Sequence, residues 1–451
     1  MKPKNVTRRS FVGTVSAGAV GTITLGGMQA FGASGTSNKL AILGGEAVRA
    51  NKPWPGWPYV DKKVLEEIEK TTQSGIWCRI QSATGTVATF EKEYAKMMGV
   101  PRCIAVGSGT QALHTSVEAL GLGPGDEVIT SPYTDPGTIS AILSARALPV
   151  LGDIDRYSFQ LDPDDVERRI TKNTKAIIPV HMMGQPADLD RFLQIAKKHN
   201  LFLIEDACQA HFAKFRGKML GSIGDVGCFS HQTSKVVSCG EGGSIISNNE
   251  ELLEQCYTVQ NHGTSKQGRT ETIGPKYRMN EFEGAILLGQ LPTALERHVL
   301  RNKNANYLSS KIKDIPGVTP QKLYDGTEEG SFYLYTMNYN KEVYNGIPRE
   351  KYLKALSAEG INVSPYITNG LHKEPWVENI MNRKEYKYMY GEDRLKQYKE
   401  EMACPVCDLI CDEEMLMLWA SGPLLGTQQD MDDIINAMTK LYENRDQLKS
   451  V

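Results

Sequence analysis

Cys103-Ile104-Ala105-Val106-Gly107-Ser108-Gly109-Thr110-Gln111-Ala112-Leu113-His114 reads as a short apolar strand, a glycine turn and the opening of a helix. Four consecutive apolar residues have strand length, and the Ser/Gly/Thr cluster behind them is a helix-start signal. The same unit recurs downstream. Strand-like runs at 127–130, 149–153, 176–181 and 201–205 alternate with helical runs at 110–120, 138–145, 163–170 and 187–199. Repetition at that spacing predicts an α/β fold, with a mostly parallel central sheet flanked by helices on both faces.

Outward from this block the pattern changes. Upstream, 64–72 and 87–98 carry helical spacing, while Pro53-Trp54-Pro55-Gly56-Trp57-Pro58 excludes a helix or a central strand. Downstream come short strands at 227–230 and 243–247 and a long helical stretch at 280–311. From about 315 the reading is mixed, with 333–339 strand-like and 349–358 helical. The expectation is a large domain over 34–310 and a smaller C-terminal α+β domain over 311–451.

The 451 residues carry 51 Lys+Arg against 53 Asp+Glu, so the concentrated basic surface of a nucleic-acid binder is absent. Nine cysteines, odd in number and dispersed, do not make a small disulfide scaffold. Residues 1–33 contain Lys2, Lys4, Arg8 and Arg9, no acid, and a mild apolar run diluted by glycine. Thr7-Arg8-Arg9-Ser10-Phe11-Val12 resembles a twin-arginine export signal, which would place the mature chain in a periplasmic or other extracytoplasmic space, or leave it in the cytoplasm where the stretch is only a basic tail and the signal is not used. Cleavage there leaves a balance of −6. No later stretch approaches about 18 uninterrupted apolar residues, so no stable membrane insertion is expected after processing.

In a parallel sheet ligands gather beyond the carboxyl ends of the strands. Three segments fall there. Ser108, Gly109 and Thr110 offer free N–H groups at a helix start, close backbone approach and two hydroxyls, which suit a phosphate; a tight turn with a Ser cap is the plainer reading. Asp206, at the end of Leu203-Ile204-Glu205-Asp206, would be costly to bury without a cation or donor, and suits a protonated ring nitrogen as well as a turn cap. Lys235 stands among hydroxyls just before Gly240-Glu241-Gly242-Gly243, where a partly dry amine can lose its proton and attack a carbonyl. Phosphate cradle, ring-nitrogen carboxylate and lysine are together the parts that pyridoxal 5′-phosphate needs.

These stretches resemble the DegT-type sugar aminotransferases, fold-type-I pyridoxal-phosphate enzymes, from about residue 40 to about 425. The resemblance rests on Gly107-Ser108-Gly109-Thr110-Gln111-Ala112-Leu113-His114, Glu205-Asp206-Ala207-Cys208-Gln209-Ala210-His211, Phe229-Ser230 with Lys235, Gly240-Glu241-Gly242-Gly243 and Tyr277-Arg278-Met279-Asn280-Glu281. Trp54-Pro55-Gly56-Trp57-Pro58 and His372-Lys373-Glu374-Pro375 look like the keto-cyclitol branch. The resemblance implies that Lys235 forms the Schiff base and shuttles the proton, and that Asp206 holds the pyridine nitrogen. It further implies that Gln209 meets the phenolic oxygen, and that Ser108, Gly109, Thr110 and Ser230 bind phosphate. A ping-pong transfer from an amino acid (Glu or Gln) to a keto-sugar or keto-cyclitol follows, in a homodimer with shared sites.

Two departures stand out. Asp135 occupies the place where the family has a ring-stacking aromatic, leaving Tyr133 as the substitute, and Lys276 replaces an Asn that reaches the neighbour's phosphate. Two alternatives stay open: a non-catalytic sensor that keeps the cofactor, and a sugar dehydratase, whose relatives carry His where this chain has Lys235. Elsewhere, Cys404, Cys407 and Cys411 read as small buried hydrophobes rather than a zinc site. His372 is as consistent with a structural role as with substrate contact. The run 384–399 reads as a solvated helical face.

Overall fold

The computed structural model describes residues 39–451; the export signal expected at 1–33 lies outside the described residues. Two helices lead, α1 (Lys62–Ser74) and α2 (Thr86–Met98). The Asp61 side chain caps α1 by accepting from the Val64 N–H. The alternation then runs β1 (Arg102–Val106), α3 (Gly109–Ala119), β2 (Glu127–Thr130), α4 (Pro136–Ser144), β3 (Leu148–Leu151), α5 (Pro163–Arg169), β4 (Thr174–Ile178), α6 (Leu189–His199) and β5 (Phe202–Asp206). A short hairpin, β6 (Lys214–Phe215) and β7 (Lys218–Met219), precedes β8 (Val226–Ser230), β9 (Gly243–Ser247), α7 (Glu250–Gln260) and the 32-residue α8 (Glu281–Ile312).

Seven strands form one sheet in the order β1-β9-β8-β5-β4-β2-β3. The pairs from β8 to β3 are parallel, and β9 runs antiparallel to both β1 and β8, so β9 alone opposes the others. Successive residues feed opposite faces, as the strand period of two requires. Ile104, Val128, Ile178, Ile204 and Ile245 pack on one side. Their neighbours Cys103, Ile129, Ile177, Leu203 and Ile246 pack on the other. Both faces being covered, the strands are continuous apolar runs rather than alternating ones.

The remaining elements are β10 (Val318–Pro320), β11 (Thr327–Glu329), β12 (Leu334–Tyr339), α9 (Arg349–Ala358), α10 (Trp376–Asn382), α11 (Lys384–Tyr390), α12 (Glu392–Glu401), α13 (Pro405–Leu409), β13 (Met415–Trp419) and α14 (Gln428–Glu443). Strands β10, β12 and β13 make a small antiparallel sheet. Its core joins Leu416 and Leu418 to Met431, Ile434 and Met438 of α14. Helix α8 serves both cores, with Leu287 and Leu291 in the first and Leu308 and Ile312 in the second.

The two cores are not separated by one cut in the chain. Leu40 belongs to the C-terminal core. Arg49, buried under Trp54, pairs with Asp430 at 2.7 Å and Asp433 at 2.8 Å. Conversely, the stretch expected as a solvated face at 384–399 packs on the large sheet. Tyr386 and Tyr398 are buried and donate their hydroxyls to the Ala147 and Pro149 carbonyls, while Tyr388 stays exposed. Lysine and glutamate dominate that run, but two tyrosines on one side decide what it covers. Among the described residues no helix is long and apolar enough to cross a membrane.

Candidate active site

The ends of β1, β5 and β8 open onto one cavity of about 370 Å³. Seven of the eight residues singled out from sequence line it: Ser108, Gly109, Thr110, Asp206, Gln209, Ser230 and Lys235. The Ser108 side chain caps α3 by accepting from the Gln111 N–H at 3.1 Å, leaving the first N–H groups of the helix facing the cavity. Gly109 is required by packing. A Cβ there would lie 2.8 Å from Ser230 Cβ and 2.9 Å from Cys208 Sγ. The eighth residue, Lys276, is exposed, bridges to Asn261 and does not line this cavity.

Adjacent carboxylates at the end of β5 point to opposite sides and take different partners. Glu205 is fully buried, 2.9 Å from His181 Nε2, and accepts from the N–H groups of Gly221, Ile223 and Gly224. Burial works to raise its pKa, but the His181 bond and charge with the backbone donors outweigh it and hold the carboxyl below its ordinary value. Asp206 turns to the cavity. Its Oδ2 accepts from Thr138 Oγ1 at 2.7 Å and its Oδ1 from the Cys208 N–H at 3.2 Å. Thr138 in turn sits 3.1 Å from the Thr134 hydroxyl. No cation pairs with Asp206 among the described residues.

Gln209 is oriented from behind. Its Oε1 accepts from the Met183 N–H at 2.7 Å, so Nε2 is the end that faces Tyr366 Oη, 3.4 Å away. Burial, with the nearby Tyr333, Asp135 and Asp206, raises the Tyr366 pKa, so its hydroxyl keeps its proton. Lys235 lies on the loop between β8 and β9. Its Nζ makes no hydrogen bond or ion pair among the described residues and stands 4.1 Å from the centre of the Tyr333 ring. Tyr333 is held by Ser234 Oγ at 2.9 Å. The loop is strapped from outside by Trp57, whose Nε1 donates to the Thr233 carbonyl at 3.0 Å, and by Ser421, which donates to the Ser234 carbonyl at 2.9 Å.

Two buried histidines support the strands beneath. The Ser230 carbonyl can only accept, so His211 Nε2 carries the proton and Nδ1 accepts from Tyr94 Oη at 2.8 Å. His231 has the opposite tautomer: Nδ1 donates to the Val237 carbonyl and Nε2 accepts from Ser244 Oγ at 2.6 Å. Burial keeps both rings neutral, pushing His231 down to about 4 and His211 well below its ordinary value.

Tyr133, the expected stacking ring, is buried between Phe159 and Tyr366 and does not line the cavity. Asp135 does line it, and its Oδ1 caps α4 by accepting from the Gly137 N–H at 2.8 Å. The chain turns at Ser131–Thr134, which sends Tyr133 inward. His372 sits 3.0 Å from Asp408, away from the cavity. Cys404, Cys407 and Cys411 are buried among apolar residues. Sequence reasoning missed Thr138, Tyr333, Tyr366 and Trp419. Thr138 was within reach of the strand-end rule, since it opens the helix after β2. The three aromatics come from distant segments and carry no local signal.

The donor set fits pyridoxal phosphate. A carboxylate and an amine, neither with an ion-pair partner among the described residues, line one cavity together with a helix start rich in N–H and hydroxyl donors. Residues 58–418 match the model of the DegT/DnrJ/EryC1/StrS aminotransferase family. The chain is 34% identical over 428 residues to the L-glutamine:2-deoxy-scyllo-inosose aminotransferase of Streptoalloteichus tenebrarius, covering 91% of this chain and 99% of that one. It is 32% identical over 425 residues to the L-glutamine:scyllo-inosose aminotransferase of Streptomyces griseus, covering 90% and 98%. Among solved structures, 3-amino-5-hydroxybenzoic acid synthase superposes with a TM-score of 0.75 at 25% identity, over 87% of this chain and 98% of that chain.

Proposed function

The chain belongs to the DegT/DnrJ/EryC1/StrS aminotransferase family, whose members depend on pyridoxal 5′-phosphate, and on that premise we propose that it moves the amino group of L-glutamine onto a keto-cyclitol. The observation that carries the chemistry is the convergence of Lys235 and Asp206 on one cavity, neither forming an ion pair among the described residues. When bound, the cofactor supplies an electron sink that takes up the charge left on carbon as a proton departs.

The chain's own residues do the rest. Ser108, Gly109, Thr110 and Ser230 would hold the phosphate through N–H and hydroxyl donors at the start of α3. Asp206 would keep the ring nitrogen protonated, its carboxylate fixed by Thr138 and the Cys208 N–H. Gln209 would donate from Nε2 to the phenolic oxygen, its amide held in that sense by the Met183 N–H. Lys235 Nζ would carry the proton, and the Tyr333 ring beside it limits water on that side. The exposed position of Lys276, outside its own cavity, supports a role at a partner's phosphate in a homodimer.

The acid-free start with Arg8-Arg9 supports export of the folded holoprotein. The test of the activity is direct. Purified holoprotein, L-glutamine and scyllo-inosose should yield the aminocyclitol by mass spectrometry, with parallel lines in a two-substrate kinetic plot. Loss of the donor's amine with no amination of any ring ketone would overturn the acceptor; no reaction with any amino donor would favour a sensor.

A further inference from the structure

Arg301 of α8 and Trp57 do not line the cavity, yet they meet behind the loop that carries Lys235. Arg301 is 1% exposed and forms no ion pair among the described residues. Its Nη2 donates to the Ser421 carbonyl at 3.2 Å, and its guanidinium lies 5.0 Å from the centre of the Trp57 ring. Its Nε has no hydrogen-bond partner among the described residues. Burial, with Arg297 one turn away, pulls its pKa down to about 9, which leaves it charged at neutral pH. An unpaired interior charge is costly, and an apolar side chain of similar length would sit there at less expense.

The two contacts of this guanidinium lead to one place. Trp57 Nε1 donates to the Thr233 carbonyl at 3.0 Å, and Ser421 Oγ donates to the Ser234 carbonyl at 2.9 Å. Both carbonyls that precede Lys235 are thereby held by neighbours of Arg301. The Ser234 side chain adds a third point. Gln232 Oε1 accepts from the Ser234 N–H at 2.8 Å and from Ser234 Oγ at 2.6 Å. With that hydroxyl proton committed, Tyr333 Oη donates to Ser234 Oγ at 2.9 Å, which fixes the ring whose centre stands 4.1 Å from Lys235 Nζ. All of these contacts are made within one chain. A lysine amine ends a flexible four-carbon stem, so its place depends on the backbone and the ring beside it. A shift of about 1 Å at such a group can cost about a hundredfold in rate.

We propose that Arg301 is a positioning residue for Lys235: by holding Ser421 and the Trp57 ring it fixes the Thr233–Ser234 backbone and, through it, the place of Nζ. This rests on the reading of Lys235 as the amine that joins the cofactor, and it is independent of the acceptor.

The experiment uses the full-length holoprotein. Arg301→Met removes the charge and the donors while keeping the length; Ser421→Ala and Trp57→Phe each remove one donor to the loop. Mixed with L-glutamine alone in a stopped-flow spectrometer, Arg301→Met should lose its visible band about tenfold or more slower than the parent. The glutamine concentration giving half the maximal rate should change by less than about threefold, since the donor's own contacts are untouched. In the resting holoprotein the pH midpoint of that band should move by about half a unit or more. The urea midpoint of Arg301→Met should match or exceed the parent's, because an unpaired buried charge has gone. Ser421→Ala and Trp57→Phe should repeat the slower rate and the shifted band. Arg301→Met combined with Ser421→Ala should be little slower than the worse single variant, as for residues acting in one chain. Rates and band midpoints unmoved in all three single variants, with borohydride still attaching the cofactor to Lys235, overturn the inference alone. A slow Arg301→Met with a lowered urea midpoint, not repeated by Ser421→Ala, assigns the arginine to stability and overturns it too. Failure of borohydride to attach the cofactor to Lys235 in the parent removes the reading of the lysine and this inference with it.

Discussion

Thr138 donates its hydroxyl proton to Oδ2 of Asp206 across 2.7 Å, tying the first turn of α4 to the end of β5. Because that proton is committed, the neighbouring Thr134 hydroxyl, 3.1 Å away, must donate to Thr138. The carboxylate is therefore held by a directed chain before any ligand arrives.

Thr138→Val keeps the shape and removes that donor. A hydrogen bond to a charged group contributes about 1.5–3 kcal/mol, so cofactor affinity should fall about tenfold or more. Titration of apoprotein with pyridoxal phosphate reads this directly. Unchanged affinity would mean that Asp206 does not depend on Thr138.

Among the described residues Lys235 Nζ has no hydrogen bond or ion pair to lose, only its place over the Tyr333 ring. Lys235→Ala should therefore leave the thermal midpoint within a few degrees of the parent while turnover disappears. Borohydride reduction followed by peptide mass spectrometry should attach the cofactor to Lys235 in the parent and to no residue in the variant. Residual turnover above about one part in a thousand would assign the proton to another group.

Gly109→Ala places a methyl 2.8 Å from Ser230 Cβ and 2.9 Å from Cys208 Sγ, so α3 and β8 must separate. Overpacking of this kind costs about 1–3 kcal/mol. Both the urea midpoint and phosphate retention should drop together. A stable variant with parental cofactor binding would show that the cradle tolerates the shift.

Acid should weaken the protein through its histidines. Folded His231 titrates at about 4 and His211 well below 6.5, both because burial disfavours the charged ring, whereas the unfolded rings titrate near 6.5. Between those values the unfolded chain binds more protons, so stability is full above about pH 6.5 and declines toward pH 4. For His231 alone the loss is on the order of 3 kcal/mol. Urea melts at pH 7.5, 6 and 5 should trace the decline. His231→Asn, which retains a donor for Val237, should flatten it, and an unaltered slope would exclude this ring as the source.

Export makes a separate prediction. A reporter fused after residue 40 should reach the periplasm of a bacterial host in shortened form, and Arg8→Lys with Arg9→Lys should hold it in the cytosol. Full-length material in the cytosol for both would end the export reading.

The seven strands of the central sheet were readable in advance to within a few residues, because burial on both faces leaves continuous apolar runs bounded by polar turns, whereas the two-residue strands β6 and β7 are too short to carry such a run. Part of the cavity lining was readable for a related reason. Ser108 and Asp206 each sit where a strand stops, and in a parallel sheet those stops share one edge, whereas Ser230 was singled out through the family resemblance. Tyr133 was misplaced because residues between a strand and a helix have no fixed period. Which side chain turns inward there depends on the room beside Phe159 and Tyr366.

Local pattern thus determined the α/β alternation and the strand ends at which Ser108 and Asp206 stand, with Lys235 on the loop after β8. All of these depend on short-range period and on strand ends. Tertiary packing decided the rest. It reversed β9, drew Leu40 and Arg49 onto the C-terminal core, buried Tyr386 and Tyr398 against the large sheet, and brought Tyr333, Tyr366 and Trp419 to the rim. Those contacts join segments up to hundreds of residues apart, and their energy comes from shared apolar surface that no single stretch of chain contains.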